Sequence, residues 1–204
     1  LVGGIIVGTD LATSKRGIEI AHELDLWVSV GIHPNDAKQY SGDDPDRTGW
    51  QRSVEELVKD AKVVAIGETG LDFYRQFKSE DEQLPLLEYF LDLAEQVDKP
   101  VLFHCREAYD QLLGVLEHRR GIRGVVHAFG GDEAVAKGFL DLGLHLSFTA
   151  QVTYPKNQDL YNKLVPTIPL DRVLLETDCP FLPPEGLRGQ RNEPRHVDVI
   201  AETI

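Results

Sequence analysis

The chain has no methionine, not even at position 1, and it opens directly on the apolar stretch LVGGIIVG. No secretory signal or polar leader precedes that stretch, and the sequence reads as an internal piece of a longer protein. Cysteine is almost as scarce. Cys105 and Cys179 stand far apart with no C-x-x-C pattern, so they read as small strand-end residues in a reducing compartment, and a cytoplasmic location is expected. No apolar run approaches the ~20 residues that a membrane span needs. Basic residues are outnumbered, 21 Lys and Arg against 34 Asp and Glu, for a net charge of −13. That balance excludes a protein that coats nucleic acid through a broad basic face. A polyanionic substrate would need positive charge supplied locally, by metal ions or a few arginines. G-x-S-x-G, a Walker loop and G-x-G-x-x-G after a strand are all missing, so no nucleophile elbow or nucleotide cradle competes for the function.

What is present suits one domain with a full core: 204 residues, of which 42% are hydrophobic. Short apolar runs recur at 3–8, 26–34, 62–68, 99–105, 123–130, 144–150 and 172–178. Most are rich in Val, Ile, Leu and Phe, as parallel strands buried on both faces should be. Helical patterns lie between them. Ile18, Ala21 and Leu24 mark a helix over 13–25. Ser53 and Glu56 match a capping box. Leu84, Leu87, Leu91 and Ala94 form a stripe over 83–97, where Pro85 predicts a start or a kink. Further helices are expected at 107–118, 132–142 and 157–165. Alternating β and α at this spacing implies a parallel sheet, either doubly wound or a TIM-type (β/α)8 barrel lacking one unit.

The polar residues favour the barrel. His33 follows the second run, Glu68 ends the third, His104 ends the fourth, His127 sits in the fifth and Asp178 ends the seventh. In a parallel barrel these ends converge on the face that carries active sites. Gathering uncompensated charge there is costly, and a divalent metal offsets the cost. Two imidazoles and two carboxylates, from His104, His127, Glu68 and Asp178, suit zinc, manganese or a similar ion. Asp72 reads either as a carboxylate that orients a ligand from behind or as a turn cap. Arg106 reads as a contact to a substrate anion or as an ion-pair partner of Glu107 or Asp110. Arg188 and Arg191, in the proline-bounded loop RGQRNEP, read as a phosphate clamp or as a solvated charged loop. His22 and His118 read as helix-surface residues and His145 as a strand or loop residue.

Taken in order, VGIHP, AIGETGLDFYR, PVLFHCREA, HAFGG, LLETDCPFLPP and RGQRNEP resemble the TatD family of metal-dependent deoxyribonucleases, over about residues 28 to 196. The resemblance implies an amidohydrolase-like barrel with two divalent ions, Zn, Mg or Mn. It implies metal ligation by Glu68, His104, His127 and Asp178. His33, Arg106, Arg188, Arg191 and Asn192 fall in motifs around the substrate pocket. The family opens with a strand carrying a His-x-His pair, and no such pair occurs here. The expectation is therefore one hydrolase domain over residues 1–204, clipped at both ends, without the first strand and the C-terminal helix.

The function expected is phosphodiester hydrolysis in DNA, at single-stranded ends, by a water activated between the metals. Asp178 and Glu68 would be catalytic and the chain a monomer. Two other readings stay open. The same barrel could hydrolyse an ester, lactone or amide. If the His-x-His pair is absent from the native protein, a non-catalytic metal-binding protein is the third.

Overall fold

The computed structural model describes residues 3–40, 47–74 and 80–204. It divides into two compact units, Leu1–Gly124 and Val125–Ile204. The first contains β1 (Ile5–Val7), α1 (Leu11–Leu24), β2 (Trp27–Val30), α2 (Ala37–Tyr40), α3 (Arg47–Leu57), β3 (Val63–Asp72), α4 (Glu80–Val97), β4 (Val101–Arg106) and α5 (Tyr109–Glu117). The second contains β5 (Gly124–Val126), which starts at its border, then α6 (Glu133–Asp141), β6 (His145–Phe148), α7 (Gln158–Leu164), β7 (Val173–Leu175) and α8 (Val197–Thr203). Within the first unit β1 to β4 pair in chain order and in parallel, and within the second so do β5 to β7. Sequential parallel order is what strand–helix–strand crossovers produce.

Local signals set most boundaries. Asp10 caps α1, its side chain accepting from Thr13 N at 2.6 Å while the Thr13 hydroxyl accepts from Asp10 N at 2.9 Å. In the first unit's core, Val28, Val30, Ile66, Leu71, Val101 and Phe103 from the strands and Leu87, Phe90 and Leu91 from α4 are all fully buried. Each such side chain stabilises the fold by roughly 1.5–3 kcal/mol relative to exposure. Phe129, Phe139 and Phe148 do the same in the second unit, with Phe129 packed edge-on against the other two.

Four expectations are corrected. Ser53 is not a cap: it lies inside α3, its hydroxyl donating to Gly49 O at 2.9 Å. The helix extends further toward its N-terminus, where Trp50 packs edge-on to Tyr40 and Tyr89 at 5.3 and 4.8 Å between ring centroids. Pro85 neither starts nor ends α4, which begins at Glu80. β3 does not stop at Glu68 but runs on to Asp72. Finally, β1 and β7 are not buried on both faces: Ile5 is 48% exposed, Val7 41%, Leu174 45% and Leu175 38%. Among the described residues β1 pairs with β2 alone in the first unit, and β7 with β6 alone in the second.

Candidate metal centre

The ten-residue strand β3 loses its regular register with β4 between Ile66 and Thr69 and regains it at Gly70↔His104 and Asp72↔Arg106. Alternate residues of a strand share a face. Glu68 and Asp72 therefore stand on one face with Gly70 between them. Gly70 has φ +147°, and a Cβ there would lie 1.9 Å from His104 O, so only glycine allows the two strands to approach this closely. The space beside Gly70 is filled by the main chain of His104, whose ring touches both carboxylates. His104 Nδ1 lies 2.9 Å from Glu68 Oε1, and His104 Nε2 lies 3.0 Å from Asp72 Oδ2.

His33 joins them from the turn after β2. Its Nε2 is 3.5 Å from Glu68 Oε1 and 3.3 Å from His104 Nδ1. One donor atom each from His33, Glu68 and His104 fall within 4.8 Å of one another. Asn35 ties the arrangement together, its main-chain N–H donating to His33 Nδ1 at 3.0 Å and its side-chain amide to Asp72 Oδ2 at 3.3 Å.

These contacts limit where the ring protons can sit. Asp72 accepts, so His104 donates from Nε2 and turns its Nδ1 toward Glu68. Protonated on both nitrogens, as in the metal-free protein, the ring donates to both carboxylates; a neutral ring faces Glu68 with its Nδ1 lone pair at 2.9 Å, a pairing that a bound cation between the two would stabilise. Two ligand atoms bound at right angles to one ion at the usual ~2.0–2.2 Å would be about 3 Å apart, so Glu68 and His104 fit a divalent metal. His33 differs: because Nδ1 accepts from Asn35, Nε2 carries a proton and presents a donor. Asp72 completes a carboxylate–histidine arrangement that makes Nδ1 a better ligand. Burial alone would raise its pKa, but the hydrogen bond and charge of His104 outweigh burial, aided by Tyr74 N–H and Arg106, and hold it down at about 2.

Arg106 is exposed and lies over the Tyr74 ring, 3.6 Å from its centroid. The remaining expected residues belong to the second unit. His127 directly follows β5, with Nδ1 3.6 Å from Glu176 Oε2. Glu176 also accepts from Ala128 N–H, and it follows β7, where its own N–H donates to Phe148 O at 3.1 Å. Burial would push the Glu176 carboxyl up, but His127, Ser147 and Ala128 hold it below the ordinary glutamate range. Asp178 lies three positions beyond the end of β7, half-buried, at φ 56°. Arg188 stacks over Tyr154 at 4.7 Å and sits 3.7 Å from Glu185, while Arg191 is exposed. Asn192 is only 2% exposed, and its amide donates to Thr177 O and Phe181 O at 2.7 Å and to Leu182 O at 3.1 Å. It braces the chain around Asp178 from within.

Sequence reasoning passed over Asn35 and Glu176. Both sit beside residues it did single out, in VGIHPND and LLETD, and adjacency to a candidate was the available signal.

A family model described as TatD related DNase matches residues 1–204. The chain belongs to this family. It is 37% identical over 203 residues to YabD, a metal-dependent hydrolase of Bacillus subtilis (strain 168), covering 98% of this chain and 77% of that protein. It is 34% identical over 209 residues to the 3'-5' ssDNA/RNA exonuclease TatD of Klebsiella pneumoniae (strain 342), covering 99% and 77%. The crystal structure of YJJV, a TatD homolog from Escherichia coli K12, superposes with a TM-score of 0.87 at 29% identity, covering 98% of this chain and 76% of that one. The fold class is accordingly the α/β barrel of the TatD hydrolases, as the order of strands and helices anticipates. Among the described residues no helix is long and apolar enough to cross a membrane.

Proposed function

We propose that this TatD-family chain is a divalent-metal-dependent hydrolase of phosphodiester bonds that acts on DNA, at single-stranded ends. The observation that carries the reading is the convergence of donor atoms from His33, Glu68 and His104 within 4.8 Å of one another, with Asp72 3.0 Å behind His104 Nε2.

Glu68 and His104 are the ligands the first unit offers. His127 and Asp178 take ligand roles in the second unit on the strength of their motifs, and we infer two ions, of Zn, Mg or Mn. Bound divalent ions supply an activated water at neutral pH and positive charge for the phosphoryl oxygens. The protein's own groups do the rest. His33 Nε2–H, fixed by Asn35, donates to a substrate oxyanion. Asp178 would hold an ion and accept the proton released by the attacking water, and Glu68 would position the ions. Arg106, Arg188 and Arg191 are the local positive charge that an acidic chain needs to hold a polyanion. The acidic surface gives weak, metal-dependent binding rather than tight nonspecific binding. The protein works as a monomer in the reducing cytoplasm, where Cys105 and Cys179 stay as free thiols.

The test is release of nucleotides from 3'-labelled single-stranded DNA with Mn2+, Mg2+ or Zn2+, with and without EDTA. Cleavage that EDTA abolishes and metal restores is expected. Equal activity in chelator overturns the metal mechanism, and cleavage of lactones but not DNA moves the substrate class to carboxylic esters.

A further inference from the structure

Gln83 is fully buried in the first turns of α4, on the face that otherwise presents Leu86, Leu87, Phe90 and Leu91 to the core. An amide in such a place is costly unless its polar atoms are paired. Here they are paired with a single residue. Gln83 Oε1 accepts from Asp72 N–H at 2.7 Å, and Gln83 Nε2 donates to Asp72 O at 2.9 Å.

The register explains why β3 requires this partner. β2 pairs with β3 only as far as Val30↔Ile66, so among the described residues no strand pairs with the last residues of β3 on that side. In a parallel ladder the N–H and C=O of one residue point the same way, and those of the next residue point the other way. Phe73 N–H reaches Arg106 O on the β4 side at 2.9 Å, so the main chain of Asp72 faces the unpaired side. A side-chain amide has one donor face and one acceptor, like a peptide group, and Gln83 stands in for the missing strand.

The consequence runs to the metal centre. We propose that Gln83 is a positioning residue for the metal-binding histidine. By fixing the main chain of Asp72 it holds the Asp72 carboxylate against His104 Nε2, and so keeps His104 Nδ1 turned toward Glu68. The path is Gln83 to Asp72 to His104, each link a hydrogen bond of 3.0 Å or less. This rests on the metal-dependent reading of the site, but its readout needs no substrate.

The experiment compares Gln83→Met and Gln83→Glu with the wild type and with Leu87→Ala. Leu87→Ala loosens the same helix while removing neither of the Gln83–Asp72 hydrogen bonds. Zn2+ affinity is measured by calorimetry with the metal alone, and the protonated nitrogens of His104 are read by long-range 1H–15N NMR. Gln83→Met should weaken Zn2+ binding by ~10–100-fold, the range for lost partners of a metal-ligating histidine. It should also let the His104 Nε2 proton exchange with solvent. Gln83→Glu keeps the acceptor for Asp72 N–H and should fall between Gln83→Met and wild type. Leu87→Ala should stay within about twofold of wild type, on the expectation that affinities of sites not in contact are independent. If Gln83→Met does not fold, Gln83→Glu against Leu87→Ala makes the same comparison. Wild-type affinity and an unchanged His104 spectrum in the Gln83 variants overturn the proposal, as does an equal loss in Leu87→Ala. Intact, brace-dependent Zn2+ binding without DNA cleavage would instead overturn the assigned reaction and leave this inference standing.

Discussion

Asp72 Oδ2 stands 3.0 Å from His104 Nε2, on the opposite edge of the ring from Glu68. On the metal-dependent reading proposed above, this pair sets which nitrogen would bind the ion. Asp72→Asn keeps the size of the side chain but removes its charge, and an amide that presents its nitrogen to Nε2 reverses the ring's protonation. Metal affinity should drop by ~10–100-fold. Competition with a chromophoric chelator measures it, and an unchanged affinity would reduce Asp72 to a turn cap.

The same carboxylate gives an acid signature. Its pKa falls from 3.8 in the unfolded chain to about 2 in the fold. Between those values the unfolded chain binds more protons, so its contribution is full above pH 4 and fades as pH falls through 2. The shift corresponds to about 2 kcal/mol. In urea unfolding of metal-free protein, wild type should exceed Asp72→Asn by that order at pH 5, and the gap should close as the pH approaches 2. A gap independent of pH would mean that the carboxylate's charge is not what stabilises.

Much of this was legible in the sequence because it is written in apolar runs. All seven runs became strands, and the residues at their ends include the Glu68–His104 pair. What could not be read is where tertiary contacts overrule local pattern. The third apolar run ends at Glu68, yet β3 continues to Asp72 because Gly70 lets β4 come close. Ser53 fits a capping box, yet Trp50 and its aromatic neighbours carry the helix past it. Leu84 was expected on the buried stripe of α4, but it is only half-buried while Gln83 is fully buried. No periodicity rule places a glutamine in a core, because the reason is an unpaired main-chain group on another element.

Gly70 offers the sharpest backbone test. Its φ of +147° is strained for any residue with a side chain, and an added Cβ would meet His104 O, a main-chain atom that cannot rotate away. Gly70→Ala should lose at least about 1–3 kcal/mol from the strain alone. The metal site should loosen with it, since relief requires β3 and β4 to part at His104. Denaturant unfolding and Zn2+ titration of the same sample check both, and a stable variant with normal Zn2+ affinity would refute the close approach.

Asn192 makes the matching case in the second unit. Its motif suggests a pocket residue, but its amide nitrogen is spent on Thr177 O, Phe181 O and Leu182 O, and its Oδ1 accepts from Glu193 N and faces His196 Nδ1, both at 2.9 Å. Those carbonyls flank Asp178, whose φ of 56° is held by the surrounding chain rather than by its own preference. Asn192→Ala leaves the carbonyls of Thr177, Phe181 and Leu182 without its amide, each costing up to about 1–3 kcal/mol where water does not replace it. The turn should relax and Asp178 should lose its fixed direction. A fall in kcat with little change in KM is therefore expected, together with faster amide exchange at 177–182. If Asn192 instead binds substrate directly, KM rises and the exchange rates stay at the wild-type level. The two measurements on one variant separate a brace from a contact.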